Sequence, residues 1–170
     1  SPKISFKNEN KTESRRELQQ ASVAIGFHFP KMSDKERYDS EVFSAIFGDG
    51  LSSKLFTEVR EKRGLAYTVK SNLDTGKEFG YLVIYAGTNK EKVGEVLKLC
   101  IEEFGKMKEL TEKELAEGKN QVIGNFEVES ESSNGAAANL IIEEAAGKAE
   151  EYYKFSEKVN AVTLEDIKNM

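Results

Sequence analysis

GDGLSSKLFTEVREKRGLAY, residues Gly48 to Tyr67, is the stretch on which the reading of this chain turns. Its first three residues have the composition of a turn that stops a preceding helix. Ser52 or Ser53 can cap a short new helix. In that helix Leu55, Phe56 and Val59 fall at helical spacing, and Lys54, Glu58, Arg60, Glu61, Lys62 and Arg63 are the charged remainder. Gly64 breaks it, and the chain leaves as a strand through Tyr67. Such a helix-break-strand unit can bring a guanidinium, Arg60, and a phenol, Tyr67, to the same end of a sheet.

Around this unit the patterning is regular. Ala21, Val23, Ile25, Phe27 and Phe29 alternate with polar or small residues, which predicts a strand with one buried face, ended by Pro30. Ser33 with Glu36 forms a capping-box pair, and Tyr38, Val42, Phe43, Ile46 and Phe47 supply the apolar stripe of the helix it would open. Downstream, Leu65, Tyr67, Val69 and Leu73 form one alternating set and Phe79, Tyr81, Val83 and Tyr85 another. Asp74-Thr75-Gly76-Lys77 between them has turn chemistry, so an antiparallel hairpin is predicted. Thr88 with Glu91, Thr111 with Glu114 and Thr163 with Asp166 are three further capping pairs. The first opens a stripe of Val93, Val96, Leu97, Cys100, Ile101 and Phe104, the second one of Leu115, Val122, Ile123 and Phe126. Residues 127–135 read as a polar loop or bend, and residues 136–147 and 149–159 as helical. The fold class is α+β: two layers, an antiparallel sheet with helices packed on one face. Residues 1–17, polar and without an apolar period, read as a linker or incoming tail, and residues 18–170 as one domain.

Composition narrows the function classes. Hydrophobic residues at 38% and charged residues at 32% describe a soluble folded chain. No apolar run approaches the roughly 18–20 residues of a membrane-spanning helix. A net charge of −5 argues against nucleic acid as partner. The charge is uneven: residues 1–70 carry 13 basic and 10 acidic side chains and residues 111–151 carry 3 and 10, which reads as a solvated acidic helical face. One histidine and one cysteine do not supply the roughly three ligands of a usual zinc site. His28 falls on the polar face of the first strand as an ordinary strand histidine, and Cys100 falls in a helix stripe as a core thiol. The single cysteine excludes an internal disulfide and fits a reducing compartment, so a cytoplasmic location is expected. Gly48-Asp49-Gly50 lacks phosphate-loop spacing, and no G-x-S-x-G elbow exists. The chain alone does not read as a catalyst.

Two readings of Arg60 and Tyr67 follow from the residues. In one, Arg60 sits in a surface ion pair with a nearby glutamate and Tyr67 in the core. In the other, both are fixed donors for the carbonyls of an extended peptide or for a developing oxyanion.

GDGLSSKLFTEVREKRGLAYTV resembles the signature of the second, zinc-free domain of the pitrilysin-type (insulinase) zinc peptidases, a family that includes insulin-degrading enzymes and mitochondrial processing peptidases. The resemblance extends over QQASVAIGFHFP before it and over YLVIYAGTNKEKV and TEKELAEGKNQVIGNF after it. Asp49 stands where the family often has glycine, and Lys54 where arginine is common. The resemblance implies two similar domains or chains closing around a peptide. One carries zinc and a general base in an H-x-x-E-H motif; the other binds substrate. It implies substrate-binding roles for Arg60 and Tyr67 and loop-shaping roles for Gly48, Gly50, Ser52 and Ser53. No cofactor is expected in this chain; zinc is expected in the missing N-terminal half or a partner chain. The expected partners are that zinc-bearing homologue and a peptide substrate, with no nucleic acid and no membrane span. The family continues past a final helix into another helix turn and a strand, so the chain resembles an excised C-terminal domain or a trimmed subunit. The alternative is a structural or interaction subunit without catalysis, as the core subunits of a respiratory complex also resemble this family.

Overall fold

Strands Gln20–His28 (β1), Thr68–Thr75 (β2) and Gly80–Asn89 (β3) pair antiparallel in the spatial order β1-β3-β2 in a computed structural model that describes residues 8–14 and 19–170. Most of the tail predicted over residues 1–17 lies outside the described residues. The register sets Val23 and Val69 on either side of Ala86, and Ile25 and Ser71 on either side of Ile84. Leu82, Ile84 and Ala86 are buried, whereas Phe79, Tyr81 and Tyr85 are exposed, so the aromatic set of the third strand belongs to the outer face. The hairpin is present with its connection at residues 76–79, two positions beyond the predicted turn, closed by a hydrogen bond from Gly76 N to Phe79 O (2.8 Å).

Helices Arg37–Gly48 (α1), Val93–Gly105 (α2) and Glu112–Ser130 (α3) form the second layer, with α1 and α2 on the inner face of the sheet and α3 against α1. Aromatic rings join the layers: Phe104 of α2 stacks on Phe27 of β1 at 4.0 Å between centroids and meets Phe43 and Phe47 of α1 at 5.2 and 5.5 Å. Helices Ser133–Ala145 (α4), Phe155–Ala161 (α5) and Leu164–Lys168 (α6) complete the helical side. There Phe155 stacks on Phe126 of α3 at 4.1 Å.

Local signals were obeyed unevenly. The capping boxes at Thr111–Glu114 and Thr163–Asp166 are both formed. Ser33–Glu36 caps nothing: α1 starts at Arg37, and the Asp34 carboxylate instead accepts from Lys31 N at 2.9 Å. Thr88 is the penultimate residue of β3, and its hydroxyl donates to the Leu65 carbonyl, so α2 opens through a 3-10 turn at Lys90–Lys92 without that cap. Ile101 of the α2 stripe is exposed. The predicted loop over residues 127–135 is mostly helix, with α3 reaching Ser130 and Ser132 capping α4.

Candidate functional site

The segment between α1 and β2 is held at close quarters. Gly48 ends α1 where a Cβ would stand 2.7 Å from the Ser71 backbone nitrogen, so only glycine lets α1 approach β2 this closely. Gly50 has φ +82°, the left-handed region that glycine enters without penalty. Ser53 is buried; its hydroxyl donates to Gly50 O (2.9 Å) and accepts from Phe56 N (3.4 Å), capping the start of the next helix. Ser52 is exposed. Two contacts anchor the segment to α3. Gln121 Nε2 donates to Asp49 O and Oδ2 at 3.2 and 3.1 Å, and Lys54 Nζ meets Glu114 Oε1 at 2.5 Å. Partial burial disfavours the Glu114 carboxylate, but hydrogen bonds from Lys54 and from the Thr111 amide and hydroxyl prevail and hold it down at about 2.

The short helix that follows is wound as a π-helix over Phe56–Glu61, a winding frequent at functional sites. It ends at Gly64 (φ +57°) with hydrogen bonds from Gly64 N to Arg60 O and from Leu65 N to Val59 O, both 3.0 Å. These bonds are one residue wider than in a Schellman cap, as π winding requires. The exit is stapled to the end of β3: Tyr67 N donates to Gly87 O at 2.8 Å, Thr88 Oγ1 donates to Leu65 O, and Lys92 Nζ donates to Gly64 O at 3.2 Å.

Neither Arg60 nor Tyr67 sits where residue patterning alone puts it. The ion pair expected for Arg60 is made by its neighbours: Glu58 bonds Lys62 Nζ (2.5 Å) and Arg63 Nη1 (2.7 Å), which hold its carboxyl below the usual range. Arg60 is exposed and its guanidinium lies over the Phe56 ring, 4.9 Å from the centroid. Tyr67 is 52% exposed rather than in the core, and its hydroxyl donates to Asn89 Oδ1 at the end of β3. Both side chains thus present polar heads to solvent from the two sides of the Gly64 turn, each steadied by one neighbour. No hydrogen bond links them to each other. The sequence places Phe56 only in the apolar set of the short helix and does not single out Asn89. The Phe56–Arg60 spacing of four was a usable signal, but nothing local announces Asn89.

Among the described residues no group of three histidine, cysteine, aspartate or glutamate side chains is placed to hold a metal ion. His28 and Cys100 lie on opposite faces of the sheet layer, exposed and buried respectively, and burial pushes the Cys100 thiol up to about 11. The donor set of the described residues does not fit a catalytic zinc.

The model of the peptidase M16 inactive domain matches residues 2–122. The chain belongs to the M16 zinc peptidase family. Its part in that family is the inactive domain. An uncharacterized zinc protease of Bacillus subtilis is 31% identical over 159 residues, covering 92% of this chain and 39% of that protein. Among solved structures, a protease from Helicobacter pylori has the same fold with a TM-score of 0.83 at 22% identity, covering 91% of this chain and 38% of that one. A chain of complex III2 from Candida albicans has it with a TM-score of 0.77 at 20% identity, covering 90% and 39%. The M16 domain described here therefore spans well under half the length of the curated relatives it matches. No described helix is long and apolar enough to cross a membrane.

Proposed function

We propose that this M16 inactive domain is the substrate-binding half of a zinc metallopeptidase acting on peptides or unfolded chains. In this reading the zinc and the general base reside in a homologous half, in the same protein or a partner chain. Arg60 and Tyr67 orient the substrate beside that metal. Gly48, Gly50, Ser52 and Ser53 shape the turn that sets the π-helix in place.

The observation that carries the reading is that Arg60 and Tyr67 are both solvent-facing yet locally fixed. A guanidinium stacked on Phe56 keeps its five donors free for carbonyl or carboxylate oxygens. The phenol is held by Asn89; turning the Asn89 amide to donate to the phenol oxygen frees the hydroxyl proton for a ligand. Donors fixed before substrate arrives need no reorganisation as charge develops, which is the condition for oxyanion stabilisation. The general base and any activated water belong to the other half.

The test is reconstitution. Co-expressed with its zinc-bearing H-x-x-E-H half, this chain is expected to restore zinc-dependent peptide cleavage that neither half shows alone. Full-rate cleavage by the zinc-bearing half alone would overturn the reading. The second reading, a structural or interaction subunit without catalysis, is favoured by the fold shared with a chain of complex III2. It predicts that the protein's other half lacks the H-x-x-E-H motif.

A further inference from the structure

A cleft of about 460 Å³ opens on the helical side, between α1, α3, α4 and the edge of β2 that pairs with no other strand among the described residues. Five carboxylates line it, Glu41, Asp49, Asp74, Glu129 and Glu143, against the single cation Arg37. Glu143 is paired with Arg37 and Asp49 accepts from Gln121. Among the described residues no hydrogen bond or ion pair engages the side-chain carboxylates of Glu41, Asp74 or Glu129. Acidic side chains alone would be a solvated surface, but two further atoms are not solvated. Arg37 is 8% exposed and Ser71 is 5% exposed; both line the cleft, and Arg37 Nε and Ser71 Oγ are buried without any partner. A buried polar atom without a partner is costly, so each calls for a ligand atom or ordered water.

The chemistry of the lining selects among ligands. No three of its carboxylates converge closely enough for a metal ion, and the volume is that of a small organic ligand. The unengaged carboxylates ask for positively charged donors, whereas Arg37 Nε asks for an acceptor. A polyamine offers only donors. A basic residue within a peptide offers both, an ammonium or guanidinium and a backbone carbonyl. Asn72, Leu73, Asp74 and Thr75 bring the edge strand β2 to the rim, and an edge strand presents free backbone groups to an extended chain. We propose that this cleft binds the arginine or lysine side chain of an extended peptide laid along the free edge of β2. The site uses neither Arg60 nor Tyr67, so it stands independently of the peptidase reading.

The experiment is calorimetric titration of the 170-residue chain with a blocked pentapeptide, Ala-Ala-Arg-Ala-Ala, and with the same peptide carrying citrulline in place of arginine. Binding of the arginine peptide at least tenfold tighter than the citrulline peptide is expected. Equal affinities, or no heat at millimolar peptide, would overturn the proposal. Spermidine is expected to bind more weakly than the arginine peptide, and tighter binding of spermidine would overturn the peptide as occupant. Glu41→Gln and Glu129→Gln, both outside the core, should each weaken the arginine peptide by about tenfold, the scale of one charge-assisted hydrogen bond. Glu91→Gln, in the turn before α2, should leave the affinity unchanged. Unaltered binding in both cleft variants would refute the assignment, and unchanged near-ultraviolet circular dichroism would show that their fold is intact.

Discussion

Replacing Glu143 tests how the helical side is held together. Arg37 Nη2 lies 2.5 Å from Glu143 Oε2 and 3.4 Å from Glu151 Oε2, and its guanidinium sits 4.4 Å from the Tyr38 ring centroid. The Arg37 and Glu143 side chains are 9% and 6% exposed, so both charges have lost nearly all their hydration. Breaking such a pair from one side costs roughly 3–5 kcal/mol, because the charge left behind is buried and uncompensated. Glu151 remains within reach of Arg37 and the adjoining cleft admits water, so Glu143→Ala belongs near the lower bound, at about 3 kcal/mol. Arg37→Met leaves two carboxylates facing each other and should cost about 4 kcal/mol on the same grounds. The double variant Arg37→Met with Glu143→Leu removes both charges and refills the volume, and should fall within about 1 kcal/mol of wild type. The measurement is urea unfolding followed by circular dichroism, comparing the midpoint and slope of each variant. Refutation would take either of two forms: Glu143→Ala within about 0.5 kcal/mol of wild type, or a double variant whose loss equals the sum of Arg37→Met and Glu143→Leu measured singly.

Two further outcomes follow from the same contacts. Gly48→Ala drives a Cβ to 2.7 Å from Ser71 N, a backbone atom that cannot rotate away, so α1 and β2 must separate at a cost of about 2 kcal/mol in the same urea assay. Burial, with Asp166 and Glu36 nearby, pushes the Asp39 carboxyl up to about 6. Enclosure in the cleft, opposed by Arg37 but reinforced by Glu129, Glu143 and Asp49, pushes Glu41 up to about 7. Both groups bind protons more tightly folded than unfolded. Their contribution is therefore fully present below the ordinary carboxylate range and is lost as pH rises through 6 and 7. Melting temperatures at pH 5 and pH 8 should show this loss, and Glu41→Gln should shrink it; an undiminished loss in that variant would remove Glu41 as a cause.

What was legible in the sequence was whatever rests on neighbours along the chain. The alternation of Val23, Ile25 and Phe27 gave a strand with that inner face, and Thr111–Glu114 and Thr163–Asp166 capped the helices they predicted. What failed was decided across the fold. Thr88 has the spacing of a cap, but its hydroxyl is taken by Leu65 O, 23 positions away. Tyr67 has strand periodicity, but the wide π-turn before it starts β2 at Thr68 and leaves the phenol facing solvent. The acidic cleft was invisible because Arg37 finds Glu143 and Glu151 at separations of 106 and 114 residues. The Gly48–Tyr67 stretch identified the family, yet the stacking of Arg60 on Phe56 and the clamp of Asn89 on Tyr67 emerged only in three dimensions.

In the proposed function Tyr67 donates to charge that develops during peptide cleavage. Its most direct test is Tyr67→Phe in the complete protein with its zinc-bearing half, assayed with a fluorogenic peptide. A lost oxyanion donor predicts a fall in kcat of roughly a hundredfold with KM little changed. Unchanged kcat and kcat/KM in a correctly folded variant would remove Tyr67 as an oxyanion donor.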